Sequence, residues 1–110
     1  MSKYGNRITT LDGQVFDSAK EARRFAELKL LERAGRIKDL KRQVEFILIP
    51  EQKIDGKLVE RPVKYYADFT YRENGETVIE DVKCAATKTR EYIIKRKMML
   101  WEYGYRIREV

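Results

Sequence analysis

The 110-residue sequence contains no histidine and a single cysteine, Cys84. Without histidine there is no His-based catalytic triad and no His-ligated zinc. One thiol can build neither a thiolate zinc cluster nor an internal disulfide. Any metal must therefore be held by oxygen donors, which points to Mg²⁺ or Mn²⁺. A solitary thiol fits a reducing cytoplasm, and Cys84 reads as an inert, partly buried side chain. No apolar run approaches the roughly 20 residues of a membrane span, so no membrane partner is expected. The segment Met1-Ser2-Lys3-Tyr4-Gly5-Asn6 lacks the apolar region of a secretory signal. Internal repeats, low-complexity tracts and linkers are also missing. The expectation is a cytoplasmic protein of one domain, residues 1–110, with enough chain for a hydrophobic core.

What is abundant is charge, with a formal net value of +6. Residues 83–110 hold eight of the basic groups (Lys83, Lys88, Arg90, Lys95, Arg96, Lys97, Arg106, Arg108) against three acids, while the rest of the chain nearly balances. A basic segment of this kind is either a solvated helix face or a surface for a polyanion.

Turn and cap signals divide the chain. Asp12-Gly13 marks a turn before an extended Gln14-Val15-Phe16. Ser18, with Glu21 three residues on, is a capping-box pattern that opens a helix over residues 18–34, and Gly35 is a natural stop. Its apolar stripe is Ala22, Phe25, Ala26, Leu28, Leu30 and Leu31. A connector over 37–40 leads to a strand over 44–49, closed by Pro50. Asp55-Gly56 marks a hairpin turn with a return strand over 58–63, which Pro62 weakens or moves to an edge. Thr87 or Thr89 caps a second helix that runs to Tyr103 and stops at Gly104. Its expected inner stripe is Ile94, Met98 and Trp101 beside Ile93 and Leu100, with Tyr92, Trp101 and Tyr105 as core aromatics. Tyr105, Ile107 and Val110 suggest a last strand, able to join the sheet centrally through the helix crossover. The order helix, three strands, helix, strand (αβββαβ) is an α/β class with a mixed sheet flanked by helices.

The most informative stretch is residues 65–83. Asn74-Gly75 suits a two-residue type I′ turn, which needs positive φ at both positions. With those two residues in the turn, Asp68 faces Asp81 across the ladder, and like charges directly opposed are destabilising. Such a pair is usually neutralised by a shared proton or a bound cation. Lys83, two residues on, joins the face of Asp81. Tyr66 and Thr70 flank Asp68 on its face as packing residues. Glu80 points the other way and reads as structural or surface. Taken singly, Asp68, Asp81 and Lys83 could be a solvated ion pair; their joint register argues otherwise.

These residues resemble the PD-(D/E)XK nuclease superfamily, with Asp68 on one strand and Asp81-Val82-Lys83 on the next. More narrowly, Ser18-Ala19-Lys20-Glu21, Tyr65-Tyr66-Ala67-Asp68-Phe69 and Glu80-Asp81-Val82-Lys83 resemble a group of small phage and prophage proteins within it. Ala67 stands where many members carry proline. The resemblance implies a restriction-endonuclease-like core and Mg²⁺-dependent hydrolysis of DNA phosphodiesters, with Mn²⁺ able to substitute. Asp68 and Asp81 would hold one or two ions, the Val82 carbonyl would be a further ligand, and Lys83 would serve the attacking water. Glu21 is either a ligand or only a helix cap. Gln43, opening the first strand, is a candidate contact to the site or to DNA. Lys88, Arg90, Lys95 and Lys97 would meet the DNA backbone, with Lys95 or Lys97 able to reach the site. A Holliday-junction resolvase is the preferred assignment, acting as a homodimer on branched DNA in a bacterial host. A nicking, mismatch or flap endonuclease, or a non-catalytic nucleic-acid-binding module, are the alternatives.

Overall fold

The computed structural model describes residues 8–110. Strands β1 (Thr9–Leu11) and β2 (Gln14–Phe16) form a hairpin whose turn, as expected, is Asp12-Gly13 at φ 51° and 75°. Helix α1 (Ala19–Arg33) follows. The Ser18 Oγ accepts from the Glu21 N–H at 3.1 Å, satisfying one of the first-turn donors, and Gly35 follows the end at φ 75°. The reciprocal half of the capping box is displaced by one residue: Glu21 Oε2 accepts from the Asp17 N–H, at 3.3 Å. Only Ala22, Phe25 and Leu28 of the expected stripe are buried, while Ala26 and Leu30 face solvent.

Strand β3 (Lys38–Ile49) is twice the expected length, because the supposed connector is already paired. An extra residue between Lys38 and Lys41, with Asp39 at φ 56°, makes a bulge that hides the alternation in the sequence. The Asp55-Gly56 turn is present, but it joins β4 (Gln52–Ile54) to β5 (Lys57–Glu60) in a separate two-stranded ribbon. The expected strand over 58–63 is therefore split. Pro62 has no N–H to give a ladder, so β5 ends at Glu60 and β6 (Val63–Glu73) begins beyond it.

The main sheet has the order β3-β6-β7-β8, with β7 (Glu76–Asp81) and β8 (Arg108–Glu109). β3, β6 and β7 are antiparallel neighbours, and β8 runs parallel to β7. The sheet is mixed and the fold is α/β. β8 lies at the edge rather than centrally, since the hairpin already fills the other side of β7. It is also shorter than expected, with Ile107 buried just ahead of it.

Helix α2 (Arg90–Tyr103) connects β7 to β8 and is capped by Thr89, whose Oγ1 accepts from the Tyr92 N–H at 3.1 Å; Thr87 belongs to a preceding 3₁₀ turn. Its inner face differs from the expected one. Tyr92 and Met99, one heptad apart, are buried, whereas Ile94 and Trp101 are exposed. Each of the latter sits two residues further on, about 200° around the helix, and so faces out. Tyr105 is partly buried, Tyr66 is half exposed and Thr70 is buried.

The core has two parts. Phe16, Phe25, Leu28, Phe69 and Tyr71 pack beneath α1, and Leu48, Tyr65, Ala67, Ile79 and Met99 pack beneath α2. Burying each large side chain contributes about 1.5–3 kcal/mol. Asp68 lies on β6 between Ala67 of one cluster and Phe69 of the other. Among the described residues no helix is long and apolar enough to cross a membrane.

Candidate active site

The register of β6 and β7 is the one the turn dictates: Glu73 pairs with Glu76 around Asn74-Gly75, and the ladder runs to Phe69 opposite Glu80. Asp68 and Asp81 come next, and there the ladder gives way to side chains. Asp81 Oδ1 accepts from the Asp68 N–H at 2.9 Å, and Asp68 Oδ2 accepts from the Val82 N–H, also at 2.9 Å. β8 takes over the pairing of Asp81, through Glu109. Each aspartate thus braces the other's strand and keeps both carboxylates in place.

Two further elements converge on this point. The ladder on either side sets Gln43 of β3 opposite Asp68, and Gln43 has φ 50°. Its Nε2 donates to Asp68 Oδ1 at 3.1 Å and to Glu21 Oε1 at 3.2 Å, tying α1 to β6. Glu21 is buried, and among the described residues its nearest cation is Arg42, 3.9 Å away. Arg42 itself lies over the Phe16 ring and donates to Gln14 Oε1 and the Val15 carbonyl, which fastens the N-terminal hairpin over α1.

Three acids with so little compensation repel one another. Burial, then the Asp81 and Glu21 charges, push the Asp68 carboxyl up to about 8. Burial and the nearby Asp17 also raise Glu21. Among the described residues the nearest cation to Asp81 is Lys83, with Nζ 3.5 Å from Oδ2 and 4.2 Å from the Tyr92 ring centroid. Main-chain bonds from Lys83 to Val110 and from Val110 to Asp81 hold this segment against β8, and Lys20 donates to the Lys83 carbonyl at 2.9 Å.

Asp68, Asp81 and Lys83 line one cavity of about 350 Å³, with Tyr65, Tyr92 and Lys95 in its walls. Of the two lysines on α2 considered for the site, Lys95 is the one that reaches it; its Nζ is 3.0 Å from Glu91. Lys97 lines a different cavity. Lys88 pairs with Glu109 at 3.0 Å, and Arg90 is exposed on the first turn of α2. Val82 meets Asp68 through its backbone N–H and itself lines a separate cavity with Lys20 and Arg24.

Sequence reasoning missed Tyr65. It is 4 % exposed, and its hydroxyl lies near the Asp81 carboxylate without a well-formed hydrogen bond among the described residues. Burial and the Asp81 charge hold the phenol strongly protonated. Alternation sets Tyr65 and Asp68 on opposite faces of β6, so the pattern carried no signal for it. Lys20 was visible only as part of the helix motif. Glu80, by contrast, is fully buried and satisfied. Arg24 donates to both of its oxygens at 2.6 and 3.0 Å, and the Tyr71 hydroxyl donates at 2.5 Å. Cys84 is exposed rather than partly buried, because it opens the 3₁₀ turn beyond β7.

The donor chemistry, carboxylate with amide and backbone carbonyl oxygens nearby, is that of a hard cation such as Mg²⁺ or Mn²⁺. Such an ion would favour the ionised form of Asp68, which burial and the neighbouring acids otherwise disfavour. As the side chains stand, however, each oxygen of Asp68 and Asp81 meets a protein donor. Among the described residues no group of three or more acidic, cysteine or histidine side chains is gathered to hold a metal.

Comparison of the chain with curated proteins and with solved structures finds no match. A family model does match, over residues 1–109. The chain belongs to that family, described as Protein of unknown function (DUF1064).

Proposed function

We propose that the protein is a metal-dependent DNA endonuclease with a PD-(D/E)XK-type core, and that its preferred substrate is a four-way junction. One observation carries the reading: Asp68, Asp81 and Lys83 share a single cavity in which the acids are short of cations. The order helix, three strands, helix, strand, once the ribbons β1-β2 and β4-β5 are set aside, supports the same assignment. The preference for branched DNA rests on the resemblance to small phage proteins.

Held by Asp68, Asp81 and Glu21, with the Val82 carbonyl as a further donor, Mg²⁺ or Mn²⁺ would supply Lewis acidity and an acidified water. The protein's own groups do the rest. Lys83, fixed between Asp81 and the Tyr92 ring, orients the attacking water and stabilises charge growing on the phosphate oxygens. Lys95 offers a second cation lining the same cavity. Gln43 bridges Glu21 and Asp68. Lys88, Arg90 and Lys97 extend a basic track for the backbone. Paired nicks in a junction require two such sites, hence a symmetric homodimer.

One observation favours a second reading, a nucleic-acid-binding module without catalysis: the aspartate oxygens are all engaged by protein donors, with no three-acid group set for a metal. Incubation of wild type, Asp68→Asn and Asp81→Asn with junction, flap, gapped and linear DNA, with Mg²⁺ or with EDTA, separates the readings. Cleavage of the junction by wild type alone, and only with the metal, is the expected result. Cutting of a different structure would move the assignment to a nicking, mismatch or flap enzyme. Binding without cleavage by the wild type would establish the module.

A further inference from the structure

Helix α2 presents a face that the candidate active site does not use. Trp101, the only tryptophan of the chain, is 86 % exposed. It is not needed to hold the helix. Tyr92 and Met99 anchor α2 in the core, and Tyr103 and Tyr105 pack against Phe46, with the Tyr103 hydroxyl donating to the Ile47 carbonyl at 2.7 Å. Lys97 stands one turn before Trp101 on the same side of the helix. Lys97 and Leu100 also form the wall of a cavity of about 440 Å³ that is completed by Arg96 and Arg106. The one acid in that cavity, Glu109, is already engaged by Lys88, Arg96 and the Tyr92 hydroxyl. Among the described residues Lys97 and Arg106 have no acidic partner.

An indole in water beside unneutralised cations suits a ligand that is flat, aromatic and anionic at once. We infer that Trp101 and the Lys97/Arg106 cavity bind unpaired nucleotides of single-stranded DNA: a base stacks on the indole, and the adjoining phosphate lies against Lys97 and Arg106. The inference rests on the reading of this protein as a DNA-acting one and names the part of the substrate that this face holds. Trp101 is six residues beyond Lys95, about 9 Å along the helix axis. A strand leaving the candidate active site therefore reaches it within a few nucleotides, as the unpaired strand beside a branch would. A second copy of the chain is a poorer occupant. Two α2 faces meeting across a two-fold axis would bring Lys97 and Arg106 of each copy close to those of the other, which is like-charge repulsion in a desolvating contact.

Because the chain has one tryptophan, its emission reports this face alone. The full-length protein in EDTA, where no cleavage occurs, is titrated with a single-stranded oligothymidine and with a blunt duplex of equal length. Saturable quenching is expected with the single strand, and weaker quenching with the duplex. Trp101→Ala, read by anisotropy of a labelled oligothymidine, should bind about 10- to 100-fold more weakly, while its urea midpoint stays that of the wild type. Lys97→Ala and Arg106→Ala should each reduce the log–log salt slope by about 0.7. Absence of quenching, or unchanged affinity in Trp101→Ala, overturns the inference. So does a concentration-dependent blue shift of the emission without DNA that accompanies dimer formation in sedimentation. The two readings fail separately: a protein that never cuts DNA but shows the Trp101-dependent quenching loses only the nuclease assignment. A protein that cuts junctions while Trp101→Ala binds single strands normally loses only this site.

Discussion

Replacing Asp68 by asparagine should stabilise the metal-free protein while removing the proposed cleavage activity, and the gain should depend on pH in a defined way. In the folded chain burial, Asp81 and Glu21 raise the Asp68 carboxyl from 3.8 to about 8. The folded state therefore binds a proton that the unfolded state releases. A group raised in this way contributes stability that is complete below about pH 4 and is lost as pH climbs towards 8. At pH 7 linkage sets an upper limit of about 4 kcal/mol on that loss. Asp68 keeps partial contact with water, which screens the charges. Asparagine also cannot accept from both the Gln43 amide and the Val82 N–H, which costs about 0.5–1.5 kcal/mol. The net expectation at pH 8 is an Asp68→Asn protein about 1–3 kcal/mol more stable than wild type. Urea unfolding in EDTA at pH 4.5, 6, 7, 8 and 9 measures it. The difference should be small or reversed at the acid end, grow to pH 8 and level off beyond it. A difference that stays constant over this range, or a variant less stable than wild type at pH 8, would refute the argument that uncompensated charge is concentrated at this site.

Other substitutions test individual roles. Lys83→Ala should lower single-turnover cleavage by at least about 100-fold with little change in DNA affinity. Lost affinity with intact chemistry would make Lys83 a phosphate anchor instead. Glu21→Gln keeps a hydrogen-bonding side chain in the capping position, so its melting temperature should hold, while activity at limiting Mg²⁺ falls if Glu21 is a ligand; unchanged activity would leave it a cap alone. Tyr65→Phe removes a buried hydroxyl that makes no well-formed hydrogen bond among the described residues, so stability should stay level or rise slightly. Loss of cleavage in that variant, with normal urea unfolding, would identify the hydroxyl as a donor to something bound in the cavity.

The parts legible in the sequence are those decided within a few residues. Asn74-Gly75 requires positive φ at both positions, and they have 52° and 80°, so the register that brings Asp68 beside Asp81 followed from the turn. Ser18, Thr89, Gly35 and Gly104 marked helix ends for the same local reasons. What stayed hidden depended on partners far along the chain. The start of β3 is masked by a bulge that only its pairing with β6 defines, and the edge position of β8 is a matter of which side of β7 is free. On α2 the run Ile93, Ile94, Met98, Met99, Leu100, Trp101 offers apolar residues on several sides, and two stripes fit the periodicity equally well. The core selects the one carrying Tyr92 and Met99, and the other is left in water.

The adjacent acids Glu80 and Asp81 differ in how far the fold compensates their charge. They alternate across β7, and both are buried. Glu80 meets a guanidinium at both oxygens and a phenol besides, so its charge is neutralised within the fold. Removing Arg24 would strand that charge and should cost about 3–5 kcal/mol. Asp81 has an amide N–H at one oxygen and an ammonium 3.5 Å from the other, and among the described residues its neighbour Asp68 has only neutral donors. A fold selected only for stability would gain by replacing that pair, as it would not by replacing Glu80. The two positions therefore predict opposite outcomes. Arg24→Met should lower stability in the presence or absence of Mg²⁺ and leave the pH dependence of the Asp68 site in place. Asp81→Asn should raise or preserve stability in EDTA and abolish any stabilisation by Mg²⁺. Parallel thermal scans of the two variants with EDTA and with the metal decide the matter. If wild type and Asp81→Asn respond alike to Mg²⁺, the acids of this cavity do not form its binding site.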